Sequence, residues 1–245
     1  MADLDNDGFL DLITGCFEGG SYWLRGLGDD FESPKPVLDA DGDVLRLGQY
    51  WDYDGKRWTH TETSEFPEEL GISAFPVDWD ADGDFDLLIG SNAGGIYWVT
   101  NSGTPEEPSF APESTEVQLA RGPARIMGHA MPVAADWDGD GLFDIVTGSD
   151  SGQVVWMRNV GAAGKPAFAQ REVLIESDNS GLDRLGQRTQ VAVADWDHDG
   201  QLDLIVGDYH STGEPGTEER KHHGWVWVYR RLSPSAVDAS APVGD

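Results

Sequence analysis

The chain has 245 residues, 39% of them hydrophobic and ten of them tryptophan, which is enough apolar surface for a real core. Its 45 acidic side chains against 16 Lys and Arg leave a formal charge of −29, which argues against nucleic acid or an anionic membrane as the main partner. A single cysteine, Cys16, excludes an intrachain disulfide, and there is no apolar run of about 18 residues to suggest membrane insertion.

The chain opens on ADLDNDGFLDLITG (2–15): D-x-D-x-D-G-x-x-D, then alternating apolar residues and a Gly, so an acidic loop leads into a strand. GGSYWLRG follows as a strand behind a Gly turn and carries Trp23. Within residues 38–70 an insertion of about 17 residues interrupts the pattern, in a stretch that holds Trp51, Tyr53, Lys56, Arg57, Trp58 and His60. Within it LDADGDVLRLG (38–48) imitates the acidic loop, but its Gly falls early and no later Asp closes it, so it reads as a plain loop.

ISAFPVDW (72–79) predicts a first strand, VDWDADGDFDLLIGS (77–91) a second acidic loop and strand, and GGIYWVTN a third strand with Trp98. PSFAPESTEVQL (108–119) predicts a fourth. AMPVAADW (130–137), ADWDGDGLFDIVTGS (135–149), GQVVWMRN with Trp156 and PAFAQREVLI (166–175) repeat that order. VAVADW (191–196) and ADWDHDGQLDLIVGD (194–208) begin it again, until YHSTGEPGTEERKHHG (209–224) delays the equivalent tryptophan to Trp227 in VWVYRR. Residues 232–245 contain no further Pro-Phe element and read as a flexible tail.

Four strands per unit, Gly turns and no 3.6-residue periodicity predict an all-β β-propeller with four recognisable four-stranded blades, rather than a sandwich. One domain spans 1–231, in units near 1–71, 72–129, 130–188 and 189–231. The missing first strand before Asp3 and the missing fourth after Arg231 predict a piece of a larger ring, with other blades or domains in a longer parent chain. Trp23, Trp98, Trp156 and Trp227, with Trp79, Trp137 and Trp196 of the acidic copies, read as blade-packing residues.

Hard cations take six to eight oxygen ligands from carboxylates, a backbone carbonyl and water. In the third copy Asp136, Asp138 and Asp140 stand at positions one, three and five, Gly141 permits the turn, Leu142 offers its carbonyl at seven and Asp144 closes at nine. The plainer alternative is an Asp/Gly turn holding no ion. Four copies that each keep four carboxylates would repel without a cation, so Ca2+ at about four sites is expected.

This motif, in blade-sized repeats, resembles the FG-GAP or VCBS family, the calcium-bearing blades of integrin α-subunit heads and many bacterial surface proteins. The resemblance spans residue 1 to about 231. It implies loops joining the first and second strands of each blade on the bottom face, in rings of about seven blades. The implied ligands are Asp3, Asp5, Asp7 and Asp11; Asp78, Asp80, Asp82 and Asp86; Asp136, Asp138, Asp140 and Asp144; and Asp195, Asp197, Asp199 and Asp203. Carbonyls of Phe9, Asp84, Leu142 and Gln201 would join them. Modest calcium sites further imply an extracellular, cell-surface or periplasmic setting.

The other face would carry both insertions, five of the six His (His60, His129, His210, His222 and His223) and the cations Lys56, Arg57, Arg125, Arg184, Arg188, Arg220 and Lys221. Trp51, Trp58, Arg125, His129, Arg188 and His210 are candidate contacts for a carbohydrate platform, with rings stacking on sugars and cations meeting acidic substituents. Polar residues filling exposed loops is the plainer alternative. The primary expectation is a non-catalytic binding, adhesion or scaffolding module for an unknown protein or carbohydrate. One alternative is a propeller-type polysaccharide lyase with His129, Tyr209 and His210 as acid–base candidates; another is a purely structural module. No nucleophile elbow, phosphate loop or zinc pair appears.

Overall fold

The alternating apolar run after each acidic loop becomes a strand, buried on both faces in the second and third units and only partly buried in the first and fourth. The computed structural model describes residues 1–62, 64–177, 185–213 and 220–232, and no helix occurs among them. The first unit holds β1 (Leu12–Gly15), β2 (Ser21–Leu24) and β3 (Lys35–Pro36), paired antiparallel in that order. Its insertion folds into a hairpin of β4 (Gln49–Asp52) and β5 (Arg57–His60). The second unit is a four-stranded sheet of β6 (Gly71–Val77), β7 (Asp86–Ser91), β8 (Ile96–Val99) and β9 (Thr115–Glu116). A short pair follows, β10 (Gln118–Leu119) and β11 (Gly122–Pro123). The third unit repeats four strands as β12 (Met131–Ala135), β13 (Asp144–Gly148), β14 (Val154–Met157) and β15 (Glu172–Ile175). The fourth holds β16 (Gln187–Ala194), β17 (Asp203–Gly213), β18 (Arg220–His223) and β19 (Val226–Tyr229), with β18 and β19 both pairing to β17. These four antiparallel sheets form a four-bladed β-propeller arrangement, as the repeats predict.

The period of two decides which side chain meets which neighbour. In β7, Leu87 and Ile89 join Val37, Leu45 and Phe110 between the first and second blades. Leu88 points the other way and joins Trp79, Ile145 and Met157 between the second and third. Val146 meets Val191, Leu204 and Val206 between the third and fourth. Each such fully buried aliphatic side chain contributes about 1.5–3 kcal/mol, so the three inter-blade cores carry much of the stability.

The glycine that ends each apolar run has a steric reason. A Cβ at Gly15 would stand 2.6 Å from the main chain of Ile72 and Ser73; at Gly90 it would stand 2.1 Å from the Ala130 carbonyl oxygen, and at Gly148 2.0 Å from that of Thr189. The next blade's first strand crosses at each of these points. At Gly207 nothing among the described residues lies within 4 Å. Among the described residues nothing packs on the outer face of the fourth blade as a further blade would: Trp196 is 57% exposed, whereas Trp79 and Trp137 are 6% and 8% exposed.

Several elements depart from the sequence expectation. Only the second and third units have four strands in one continuous sheet order. In the first, Ala2 bridges Asp11, the pairing that Val77–Asp86, Ala135–Asp144 and Ala194–Asp203 make elsewhere. PSFAPESTEVQL yields two-residue β9 and two-residue β10 in place of one continuous fourth strand, and Phe110 leaves the sheet to bridge Asn101 and Asp39 and fill an inter-blade core. Phe168 does the same against Asn159 and Leu119. The described part of 209–224 is strand rather than loose loop, since β17 runs on to Gly213 and β18 folds back on it. The register moves with it: Val228 pairs with Ile205, the place that Trp23, Trp98 and Trp156 take opposite Ile13, Leu88 and Val146. Trp227 instead pairs with Val206 and donates its Nε1–H to Asp208. Arg184, residues 214–219 of the insertion and 233–245 of the expected tail lie outside the described residues.

Candidate functional site

The first Asp of each copy organises its loop. Its carboxylate accepts the N–H of the sixth-position glycine, Gly8 to Asp3 at 3.0 Å, Gly83 to Asp78 at 3.2 Å, Gly141 to Asp136 at 3.0 Å and Gly200 to Asp195 at 3.1 Å. The fifth-position carboxylates Asp7, Asp82, Asp140 and Asp199 accept the N–H of Phe9, Asp84, Leu142 and Gln201. So tight a turn puts position four (Asn6, Ala81, Gly139, His198) at φ between 56° and 76° and the sixth-position glycine between 89° and 100°. The second value is where only glycine is free of strain, which is why D-G is fixed in all four copies.

The ninth-position Asp clamps the loop to the blade. Asp144 accepts the Trp137 N–H at 3.2 Å on one oxygen and the Asn159 N–H at 2.7 Å on the other. Asp11 does the same for Leu4 and Gly26, Asp86 for Trp79 and Asn101, and Asp203 for Trp196 and Arg231. All four are buried. Burial pushes the Asp86 carboxyl up to about 6 and raises that of Asp144 in the same direction. Each oxygen keeps a second lone pair, so the clamp and a cation are compatible.

Carboxylate oxygens of Asp3, Asp5 and Asp11 lie within 4.8 Å of one another, as do those of Asp78, Asp80 and Asp82, of Asp136, Asp138 and Asp140, and of Asp195, Asp197 and Asp199. In the second loop burial, then the neighbouring Asp82 charge, holds Asp80 and Asp84 above the usual carboxylate range. Asp5 Oδ1, Asp78 Oδ1 and Asp138 Oδ1 are buried with no hydrogen-bond partner. A buried anionic oxygen is costly unless something positive meets it, and an all-oxygen donor set of this size fits a hard cation.

Three loops also receive an arginine from the end of the third strand. Arg25 Nε lies 2.5 Å from Asp5 and its Nη2 2.6 Å from Asp7. Arg158 repeats this with Asp138 at 2.5 Å and Asp140 at 3.2 Å, and Arg230 reaches Asp197 at 3.5 Å. Thr100 stands at this place in the second blade. The signal was present in the sequence, as the residue just before each clamp donor Gly26, Asn101, Asn159 and Arg231.

At the other end of the strands the candidate ligand contacts do not form one site. Trp51 and Trp58 face each other across the β4–β5 hairpin, edge to face at 5.6 Å. Arg125 is tied to Glu69 at 2.8 Å and Glu116 at 2.7 Å and donates to the Tyr97 hydroxyl. His129 and Arg188 do come together, lining a cleft of about 240 Å³ with Phe17, Asp150 and Thr189. His129 Nδ1 lies 2.9 Å from Asp150, and Arg188 stacks 5.5 Å over the Tyr209 ring. The Tyr209 hydroxyl meets His222 Nδ1 at 2.6 Å. His210 is buried against Asp208 and Trp225, away from that cleft, because Asp208 collects Gly186 N–H, Trp225 N–H and Trp227 Nε1–H around it. Glu18 was not among the candidates, yet it accepts the hydroxyls of Tyr22 and Tyr53 and joins the first blade to the hairpin.

A family model described as FG-GAP-like repeat matches residues 78–147 and 136–206, together more than half of the chain. No curated protein and no solved structure matches. On the repeated loops, the blade architecture and this match, the chain belongs to the FG-GAP-like repeat family.

Proposed function

We propose that this chain is a calcium-stabilised binding or scaffolding module of the cell exterior, with its acidic loops as structural clasps and its opposite face as the recognition surface. The observation that carries this reading is the buried, unpartnered carboxylate oxygen in the loops of Asp5, Asp78 and Asp138. The ion would be held by Asp3, Asp5, Asp7 and Asp11 and their counterparts, with the carbonyls of Phe9, Asp84, Leu142 and Gln201. Bound calcium supplies the positive charge that crowded carboxylates need, and free calcium is abundant outside the cell. Equilibrium dialysis against radiolabelled calcium tests the reading: several equivalents bound per chain are expected, and none bound would overturn it.

The cleft of His129 and Arg188 supports an acidic saccharide as the ligand class, since Phe17 offers an exposed ring and Arg188 a guanidinium. Binding is favoured over lyase chemistry because His210 turns away from that cleft. A panel of acidic and neutral glycans should show acidic binders that Arg188→Ala weakens; failure of every acidic glycan would remove the carbohydrate part of the proposal.

A further inference from the structure

The four loops differ in one respect that their shared motif hides. Arg25 and Arg158 use the same atoms on the same oxygens: Nε meets Oδ2 at position three, Asp5 or Asp138, and Nη2 meets Oδ2 at position five, Asp7 or Asp140. Arg230 meets Oδ2 of Asp197, also position three. In each of these loops four carboxylates and one guanidinium leave a formal charge of −3. The second loop has Thr100 where the arginine would stand, and Asp84 at position seven brings a fifth carboxylate, so its charge is −5. Asp84 is 5% exposed, its Oδ1 has no partner, and it borders with Asp78 a cleft of about 280 Å³ between the second and third blades.

We infer that the second-blade loop is the tightest calcium site of the chain, and that Arg25, Arg158 and Arg230 are built-in counter-cations that weaken calcium at the other three. This rests on the calcium reading above. A guanidinium on two of the ligand carboxylates must lose those pairs or share their oxygens when a divalent ion arrives, and it repels that ion at short range. It also ties each of these three loops to a strand end of its own blade without calcium. The second blade, which contributes to two of the inter-blade cores, lacks that substitute and is the part whose order depends on the ion.

Calorimetric titration of calcium into the whole chain tests this, with Thr100→Arg, Thr100→Gln and the double variant Arg25→Gln/Arg158→Gln. One tight site above a weaker class is expected in the unaltered protein. Thr100→Arg should weaken the tight site on the order of tenfold, the scale of one unit charge a few ångströms away at a partly exposed site. Thr100→Gln, which lengthens the side chain without adding charge, should leave it. The double variant should strengthen two weak sites by a similar factor. Thr100 is exposed, so its variants read out even if the double variant fails to fold. Four equal sites, or a tight site indifferent to Thr100→Arg, would overturn the inference while leaving calcium binding standing; no calcium binding at all would overturn both.

Discussion

Gly90 lies so close to Ala130 that a Cβ on the first would sit 2.1 Å from the carbonyl oxygen of the second. The same contact recurs at Gly148 with Thr189, and it is missing at Gly207 among the described residues. The glycine of the repeat is therefore a spacer between blades. Gly90→Ala and Gly148→Ala should each destabilise by about 1–3 kcal/mol or more, because backbone rather than a movable side chain must give way. Gly207→Ala should stay within about 0.5 kcal/mol. Denaturation midpoints in calcium would decide; equal damage at all three positions would count against the spacer role.

Asp144 makes a second, independent prediction. Its two oxygens satisfy the buried N–H groups of Trp137 and Asn159. Asp144→Ala orphans both, at about 1–3 kcal/mol each, so a loss of about 2–6 kcal/mol is expected even in chelator. A variant destabilised only when calcium is present would show that the residue acts as a ligand and not as a clamp.

Asp86 gives a pH dependence. Its folded carboxyl is pushed up to about 6, above the roughly 4 of an unfolded chain. The folded state thus holds that proton more tightly. Ionised Asp86 opposes folding above about pH 6, and the opposition fades as pH falls through 6 toward 4. Asp80, Asp84 and Asp144 shift in the same direction. In chelator, the stability of the unaltered protein relative to Asp86→Asn should improve between about pH 7 and about pH 5, and calcium should flatten that trend by favouring the ionised form. Parallel pH profiles of the two proteins in chelator would contradict it.

Much of the blade could be read from the chain because alternation and D-G turns are local. Leu87, Leu88 and Ile89 fall into successive cores as a period of two requires, and Gly8, Gly83, Gly141 and Gly200 all take the left-handed backbone their place in the turn demands. What escaped was non-local or main-chain. The clamp partners Gly26, Asn101, Asn159 and Arg231 differ in side chain because only their N–H is used. Arg125 looked free because Glu69 is 56 residues away, and Tyr53 looked like a loop aromatic because Glu18 is 35 away. The slip from Trp227 to Val228 came from a polar segment that continues as strand, where composition favoured a loop.

The most direct measurement is the melting temperature of the whole chain in millimolar calcium against the same protein in chelator. Each site filled to about 100 times its dissociation constant adds about 2.7 kcal/mol, which for a chain of this size means a rise of several degrees per site. A clear upward shift that magnesium does not reproduce is expected. Superimposable melts with and without calcium would contradict the role assigned to the acidic loops.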